Sequence, residues 1–206
     1  MPSGFDPSLD MSSENESAFM TGAILAGGRS SRMGRPKQEL RLADGRTMVE
    51  TIAAALKPIC RHVVIVGDCD GLDNLPRICD ARPDHGPLGG IEALLASGID
   101  QNYLICPCDV PLMTADFLSL LARPSAAAAT VVRLRSRVEP ESLPARVHVA
   151  ALPLVHALLN GGQRALWALM QALPAEVRVV SDEWAECLRN INTAEDWAHL
   201  RGSRGE

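Results

Sequence analysis

Short apolar runs alternate with helix-like segments along most of this chain. The runs are bounded by glycine, proline or aspartate and are typical of buried strands, whereas segments with a capping residue at their start are typical of helices. The pattern predicts strands at 23–26, 61–67, 75–80, 103–109, 127–134, 143–149 and 176–180, with a short edge strand at 39–42. It predicts helices at 47–57, 90–97, 114–121, 150–160, 164–173 and from 193 onwards. Strands that alternate with helices predict an α/β fold, a three-layer α/β/α sandwich with a mostly parallel, Rossmann-like sheet.

The composition limits the classes of function. The chain has 206 residues with 47% hydrophobic and 3% aromatic residues, and its formal net charge is −5. This length and hydrophobic content are enough for one sizeable domain with its own core. A nucleic-acid binder is usually basic and often stacks bases on aromatic side chains, so we expect no nucleic-acid partner.

The termini and cysteines bear on domain limits and location. Residues 1–19 are rich in Ser, Glu, Asp and Pro and predict a disordered tail, followed by a single domain at 20–202. The tail lacks the features of a signal peptide, and no apolar run is long enough to cross a membrane. Six cysteines without a CxxC pair argue against zinc, so we expect free thiols and a cytoplasmic protein without a membrane partner.

The loop after the first strand carries the first chemical signal. Gly27 and Gly28 end the strand, and a glycine-rich loop at a strand end turns backbone N–H groups towards a ligand. Four cations follow without an acid until residue 39, which favours a polyphosphate ligand; they are Arg29, Arg32, Arg35 and Lys37. The spacing matches neither of the two common phosphate-loop patterns. A solvated basic turn is the alternative interpretation.

Two aspartates also follow strands. Asp109 ends an apolar strand, and a carboxylate in this position is typical of Mg²⁺ bound together with substrate phosphates. Asp80 ends a weaker strand, just before the glycine-rich segment 86–90. Ligands of α/β sheets bind at the carboxyl ends of the strands, so we expect both acids at the site. The alternatives are a turn cap for Asp109 and a surface turn for Asp80.

Four segments together resemble the molybdenum cofactor guanylyltransferases and their nucleotidyltransferase relatives. They are LAGGRSSRMGRPK at 25–37, GPLGG at 86–90, CDVP at 108–111 and NINTAED at 190–196. The resemblance covers residues 21 to about 200. It implies a nucleotidyltransferase sheet and Mg²⁺ as cofactor. It also implies roles for three sets of residues: Arg32, Lys37 and Asp109 in catalysis, with the metal on Asp109; Leu25, Ala26, Gly27, Gly28, Lys37, Asp80, Gly86, Pro87, Leu88 and Asp109 at the nucleotide; and Asn190 and Asn192 at the acceptor.

The amides of Asn190 and Asn192 alternate along the chain and can both donate and accept hydrogen bonds without carrying charge. Thr193 with the acids that follow it is also an ordinary helix start. Segments 139–145 and 161–164 resemble family segments beside the second substrate, and a loop and a helix boundary explain them equally well.

The activity that the resemblance implies is transfer of GMP from GTP to the phosphate of molybdopterin, with release of pyrophosphate. It leaves room for transient contact with molybdoenzyme maturation proteins. Two departures from the family pattern leave open which nucleotide base and which acceptor the protein uses. Pro36 precedes Lys37 where the family usually has Asp, and Val66-Gly67 stands where the family frequently has an asparagine. The alternatives are a CTP-dependent enzyme, a transferase for another small phosphate or sugar phosphate, and a regulatory module that binds nucleotide without turnover.

Overall fold

One continuous sheet runs through the computed structural model of this chain, which describes residues 20–26, 41–42, 44–67, 74–80, 82 and 84–202. Its strands are β1 (Met20–Leu25), β2 (His62–Val66), β3 (Arg77–Ile78), β4 (Asn102–Pro107), β5 (Ala129–Leu134), β6 (Ala145–His148) and β7 (Ala175–Val180). They lie in the order β3-β2-β1-β4-β6-β5-β7. Of these described strands only β6 runs antiparallel to its neighbours. The mostly parallel α/β sheet is confirmed.

Helices cover both faces of the sheet. They are α1 (Met48–Leu56), α2 (Gly86–Ala96), α3 (Ala115–Ala122), α4 (Leu152–Asn160), α5 (Leu166–Ala172) and α6 (Ala194–Gly202). Successive strand residues point to opposite faces, and β1 shows this directly. Ile24 packs in the cluster that includes Ile52 of α1 and Phe117 of α3, whereas Ala23 packs with Ile91 of α2 and Val155 of α4. The two apolar clusters confirm the three-layer arrangement.

Two helix starts follow from short-range hydrogen bonds that the sequence predicts. Thr47 Oγ1 accepts from the backbone N of Glu50 at 3.1 Å, and Glu50 Oε2 accepts from the backbone N of Thr47 at 2.7 Å. This reciprocal pair is a capping box, which satisfies two N–H groups at the start of α1. Thr114 caps α3 in the same position, with its Oγ1 accepting from Phe117 N at 3.2 Å. The predicted boundaries of α1 and α3 are confirmed to within a residue or two.

Other boundaries differ from the prediction. The helix predicted from Gly90 begins at Gly86, because Pro87 suits the first helical turn and the glycines after it pack tightly instead of forming a loop. The strand predicted at 75–80 is only Arg77–Ile78. A 3₁₀ helix at Asp182–Leu188 was not predicted. The predicted tail at 1–19 lies outside the described residues, as do residues 39–40 of the predicted edge strand. In its described half, Arg41 bridges to Thr47.

The parallel register brings four strand ends to one edge of the sheet. Leu25, the last residue of β1, is level with Val66 of β2 and Pro107 of β4. Val66 is in turn level with Ile78 of β3. Residues that follow these four strands therefore lie along the same edge. None of the helices within the described ranges is long and apolar enough to cross a membrane.

Candidate active site

Main-chain hydrogen bonds continue the sheet pattern just beyond the strand ends. Ala26 N donates to Val66 O at 2.9 Å, and Cys108 N donates to Leu25 O at 3.1 Å. Leu25 and Ala26 are therefore held between β2 and β4. Asp80 and Asp109 follow β3 and β4 by two residues each. Three strand spacings, or about 14 Å, separate the strands that carry these acids, and Leu25 and Ala26 lie between them.

Asp80 packs against the amino end of α2. A Cβ placed on Gly90 would lie 3.2 Å from Asp80 Oδ1, and one on Gly89 would lie 4.0 Å from Asp80 Oδ2. The first turn of α2 has no acidic residue, and the side chain of His85 at its N-cap position makes no capping hydrogen bond within the described residues. A carboxylate beside these N–H groups is electrostatically favourable. Asp80 is half-buried in this position, with Oδ1 fully buried, and is not an exposed turn residue.

Gly86, Pro87 and Leu88 form the first turn of α2. Gly86 has a left-handed φ of 64°, and a Cβ there would lie 3.1 Å from the backbone carbonyl oxygen of Arg164. Gly86 and Pro87 are exposed. Leu88 is fully buried among the apolar residues between α2 and the sheet. The side chain of Leu88 therefore belongs to the core and does not face a ligand.

Asp109 is joined to the two asparagines through the backbone. Ile191 N donates to Asp109 O at 2.8 Å, although the two residues are far apart in the sequence. The Ile191 side chain is fully buried in a cluster with Leu42, Met48 and Leu200. Asn190 and Asn192 on either side of it are exposed. The fold therefore brings the segment that carries both asparagines beside the main chain of Asp109.

The helix start after these asparagines is also present. Thr193 Oγ1 accepts from Asp196 N at 3.0 Å, and Asp196 Oδ2 accepts from the backbone N of Thr193 at 2.8 Å and of Asn192 at 3.0 Å. The hydrogen bond from Asn192 N, and after it those from Thr193, lower the pKa of Asp196 below its ordinary value. These bonds fix the backbone at Asn192 while its side chain stays exposed. Thr193 and the acid thus serve the helix, and the asparagines need a separate explanation.

Comparison with known proteins agrees with this geometry. Residues 22–180 match the family model described as a MobA-like NTP transferase domain, which is more than half of the chain. The chain belongs to the MobA-like NTP transferase family. It is 36% identical over 188 residues to a molybdenum cofactor guanylyltransferase of Xanthomonas euvesicatoria pv. vesicatoria strain 85-10, covering 87% of this chain and 93% of that relative. It is also 36% identical over 193 residues to a probable molybdenum cofactor guanylyltransferase of Deinococcus radiodurans, covering 91% of this chain and 96% of that relative.

A solved structure has the same fold. The crystal structure of molybdopterin-guanine dinucleotide biosynthesis protein A from Archaeoglobus fulgidus has a TM-score of 0.72 at 21% identity. The match covers 89% of this chain and 98% of that chain. At this identity the likeness bears on the fold alone. It confirms the nucleotidyltransferase sheet. The family model and the two relatives confirm an enzyme of the nucleotidyltransferase class.

Part of the expected site of this MobA-like domain lies outside the described residues. Gly27, Gly28, Arg32 and Lys37 fall there, so their roles stay predictions. The described ranges contain no group of three or more histidine, cysteine, aspartate or glutamate side chains arranged to hold a metal ion. Mg²⁺ is usually held by one or two carboxylates with substrate phosphates and waters, and a single half-buried Asp109 at the strand edge fits that chemistry.

One polar cluster beside the site of the MobA-like domain was not predicted. It joins Arg82, Glu92, His156 and Asn160, and Glu92 is buried within it. Its signal in the sequence was Glu92 itself. Eight consecutive residues of α2, 88–95, are buried, and Glu92 is the only charged residue among them. A carboxylate on a helix that is apolar on all sides has to be paired, so Glu92 indicated that polar side chains would pack against α2.

Proposed function

We propose that this protein transfers GMP from GTP to the phosphate of molybdopterin and releases pyrophosphate. The observation that carries the proposal is the hydrogen bond between Ile191 N and Asp109 O. It joins the acid expected to hold a metal with the two exposed amides expected at the acceptor. Both lie at the edge of the sheet where Ala26 follows β1.

The reaction needs little proton transfer. An oxygen of the molybdopterin phosphate attacks the α-phosphorus of GTP, the bond from that phosphorus to the oxygen bridging to the β-phosphate breaks, and pyrophosphate carries away the electron pair. A phosphate monoester has a second pKa of about 6, so the attacking oxygen is largely ionised near neutral pH. Catalysis then depends on the position of the two substrates and on balancing negative charge. We assign the charge balance to Arg32 and Lys37.

The other assignments follow from the chemistry of each side chain. Asp109 would hold Mg²⁺, which supplies positive charge to the phosphate oxygens when bound. Asn190 and Asn192 would bind the acceptor, because amides donate to phosphate and accept from ring N–H groups. A carboxylate only accepts hydrogen bonds, so Asp80 would bind N–H or hydroxyl groups of the base or ribose, and not the phosphates.

The main chain completes the nucleotide site. We assign the backbone groups of Leu25, Ala26, Gly27 and Gly28, and those of the first turn of α2, to the nucleotide. The choice of GTP is supported by the names of the two relatives at 36% identity. Because the product is a cofactor that has to reach its enzymes, the proposal includes the cytoplasm as location and transient contact with molybdoenzyme maturation proteins.

A pyrophosphate assay with four triphosphates tests the proposal. The protein is incubated with molybdopterin, Mg²⁺ and each of GTP, CTP, ATP and UTP in turn. We expect pyrophosphate release with GTP and little with the others. Pyrophosphate release with CTP instead of GTP would show that the enzyme transfers CMP. If a triphosphate binds but none of the four yields pyrophosphate, the transferase activity is overturned and the protein is a regulatory module that binds nucleotide without turnover.

The variant Asp109→Asn tests the metal assignment. It keeps the size of the side chain and removes its charge, and we expect kcat to fall about 100-fold or more, as for loss of a group that stabilises transition-state charge. Asp116→Asn is the matched control, because Asp116 is an exposed acid on α3 outside the proposed site. Equal turnover of the two variants would show that Asp109 does not hold the catalytic metal.

A further inference from the structure

The buried carboxylate of Glu92 joins three parts of the fold. Its Oε1 lies 3.1 Å from the guanidinium Nη2 of Arg82 and 3.2 Å from Nε2 of His156. The other terminal nitrogen of Arg82, Nη1, donates to Asn160 Oδ1 at 2.9 Å. Arg82 belongs to the loop between β3 and α2, Glu92 to α2, and His156 and Asn160 to α4. One arginine therefore connects the loop to two helices.

This loop is the segment that carries the proposed nucleotide contacts. It begins at Asp80 and ends at Gly86, which packs against the carbonyl oxygen of Arg164. Arg164 follows α4 and belongs to the segment 161–164, which resembles a family segment beside the second substrate. The Arg82 carbonyl oxygen would lie 3.3 Å from a Cβ on Gly89. The loop therefore contacts α2 and the segment after α4, and the ion pair of Arg82 with Glu92 links it to α2.

The burial of Glu92 is costly for stability alone. The residue is 4% exposed, and its Oε2 accepts no hydrogen bond from the residues that the structure describes. Replacing a buried ion pair by apolar side chains of similar volume is often neutral or stabilising. The core around α2 is built of leucine, isoleucine and alanine and would accept such a replacement. A charge retained here is explained better by the geometry that it imposes on Arg82 than by stability.

We infer that Glu92, acting through Arg82, is a positioning residue that fixes the Asp80–Gly86 loop for the nucleotide. The inference rests on the proposed function, because it assigns the loop to the triphosphate substrate. Without the ion pair the loop has to be ordered when the nucleotide binds, and that cost falls equally on the ground state and the transition state. Loss of such uniform binding raises KM and leaves kcat unchanged.

The variant Glu92→Gln tests this in the full-length protein. We expect KM for the triphosphate to rise about tenfold while kcat stays within about twofold, which is the pattern for uniform binding. The matched control is Asp100→Asn. Asp100 has a side chain 5% exposed that pairs with Arg61 at 2.8 Å, close to the amino end of β4 at the opposite edge of the sheet. It should lose a similar amount of stability and keep its KM.

A second variant separates positioning from general damage. Arg82→Met should raise KM as Glu92→Gln does, and the double variant should raise it no further, because both changes break the same link. Hydrogen exchange, read without substrate, should accelerate in peptides that span 80–88 in Glu92→Gln and stay unchanged there in Asp100→Asn.

The outcomes distinguish the inference from the proposed function. If the wild-type protein releases no pyrophosphate with any triphosphate, both the proposed function and the inference are overturned. If the wild-type protein is active but Glu92→Gln has the same KM and the same loop exchange as Asp100→Asn, the proposed function stands and the positioning role of Glu92 is overturned. A fall in kcat with unchanged KM in Glu92→Gln would also overturn it.

Discussion

Replacing Gly90 by alanine would test how closely α2 has to approach the site. The added Cβ would lie 3.0 Å from Cγ1 of Val66, 3.2 Å from Oδ1 of Asp80 and 3.6 Å from Cδ2 of Leu25. The first two distances are shorter than ordinary van der Waals contact. Val66 is 1% exposed at the end of β2 and has little room to move. We therefore expect the Asp80 carboxylate to be the group that is displaced.

The effect on stability should be small. Overpacking of a core costs about 1–3 kcal/mol, and alanine gains about 1 kcal/mol over glycine in a helix. The net loss of about 1 kcal/mol corresponds to a fall in Tm of about 2–4 °C for a chain of this size. The effect on GTP affinity should be larger. A hydrogen bond to a charged group contributes about 1.5–3 kcal/mol, so loss of the Asp80 contact would weaken binding about 10- to 150-fold.

Calorimetric titration with GTP and thermal unfolding measure the two effects. Gly22→Ala is the control, because its Cβ would lie 3.1 Å from both Leu56 Cδ2 and Cys60 Sγ, at the start of β1 and away from the site. It should lower Tm similarly and leave GTP affinity unchanged. If Gly90→Ala binds GTP like the wild type, Asp80 is not a nucleotide contact in the position described above.

Two further predictions concern ionisable groups. Hydrogen bonding to the Thr47 backbone lowers the pKa of Glu50 below its ordinary 4.5, so its stabilisation is present at neutral pH and lost as pH falls through the folded pKa. Glu50→Gln should therefore lower Tm by about 2–4 °C at pH 7. A variant with the same Tm as the wild type at pH 7 as well as at pH 3 would contradict this. Burial raises the pKa of Cys60 to about 12 and that of Cys106 well above its ordinary value, whereas Cys79 is exposed. Iodoacetamide at pH 7.5 should label Cys79 before Cys60 and Cys106; peptide mapping that shows Cys60 labelled as early as Cys79 would contradict the burial of Cys60.

Features set by neighbours in the sequence could be predicted. Thr47 and Glu50 are three residues apart, so the capping box depends on no other part of the fold. The common edge of Asp80 and Asp109 was predicted because parallel strands place their carboxyl ends together.

Features set by distant contacts could not be predicted in the same way. The sequence contains nothing local to say that β6 lies between β4 and β5. Gly86 to Gly90 has the composition of a loop, yet it is helical because Gly89 and Gly90 allow the close approach of Asp80, His85 and Val66. The hydrogen bond from Ile191 to Asp109 joins residues that are separated in the sequence by the strands β5, β6 and β7. The proximity of the expected metal site and the expected acceptor site therefore emerges only from the tertiary structure.

The attachment of Ile191 to Asp109 has a consequence for how related enzymes diverge. The family model ends at residue 180, where the last strand ends, and the asparagine segment comes after it. The segment belongs to none of the described strands and is anchored by the main-chain bond to Asp109 and by the buried side chain of Ile191. The residues proposed to bind the acceptor can therefore vary independently of the strand ends that carry Asp80 and Asp109.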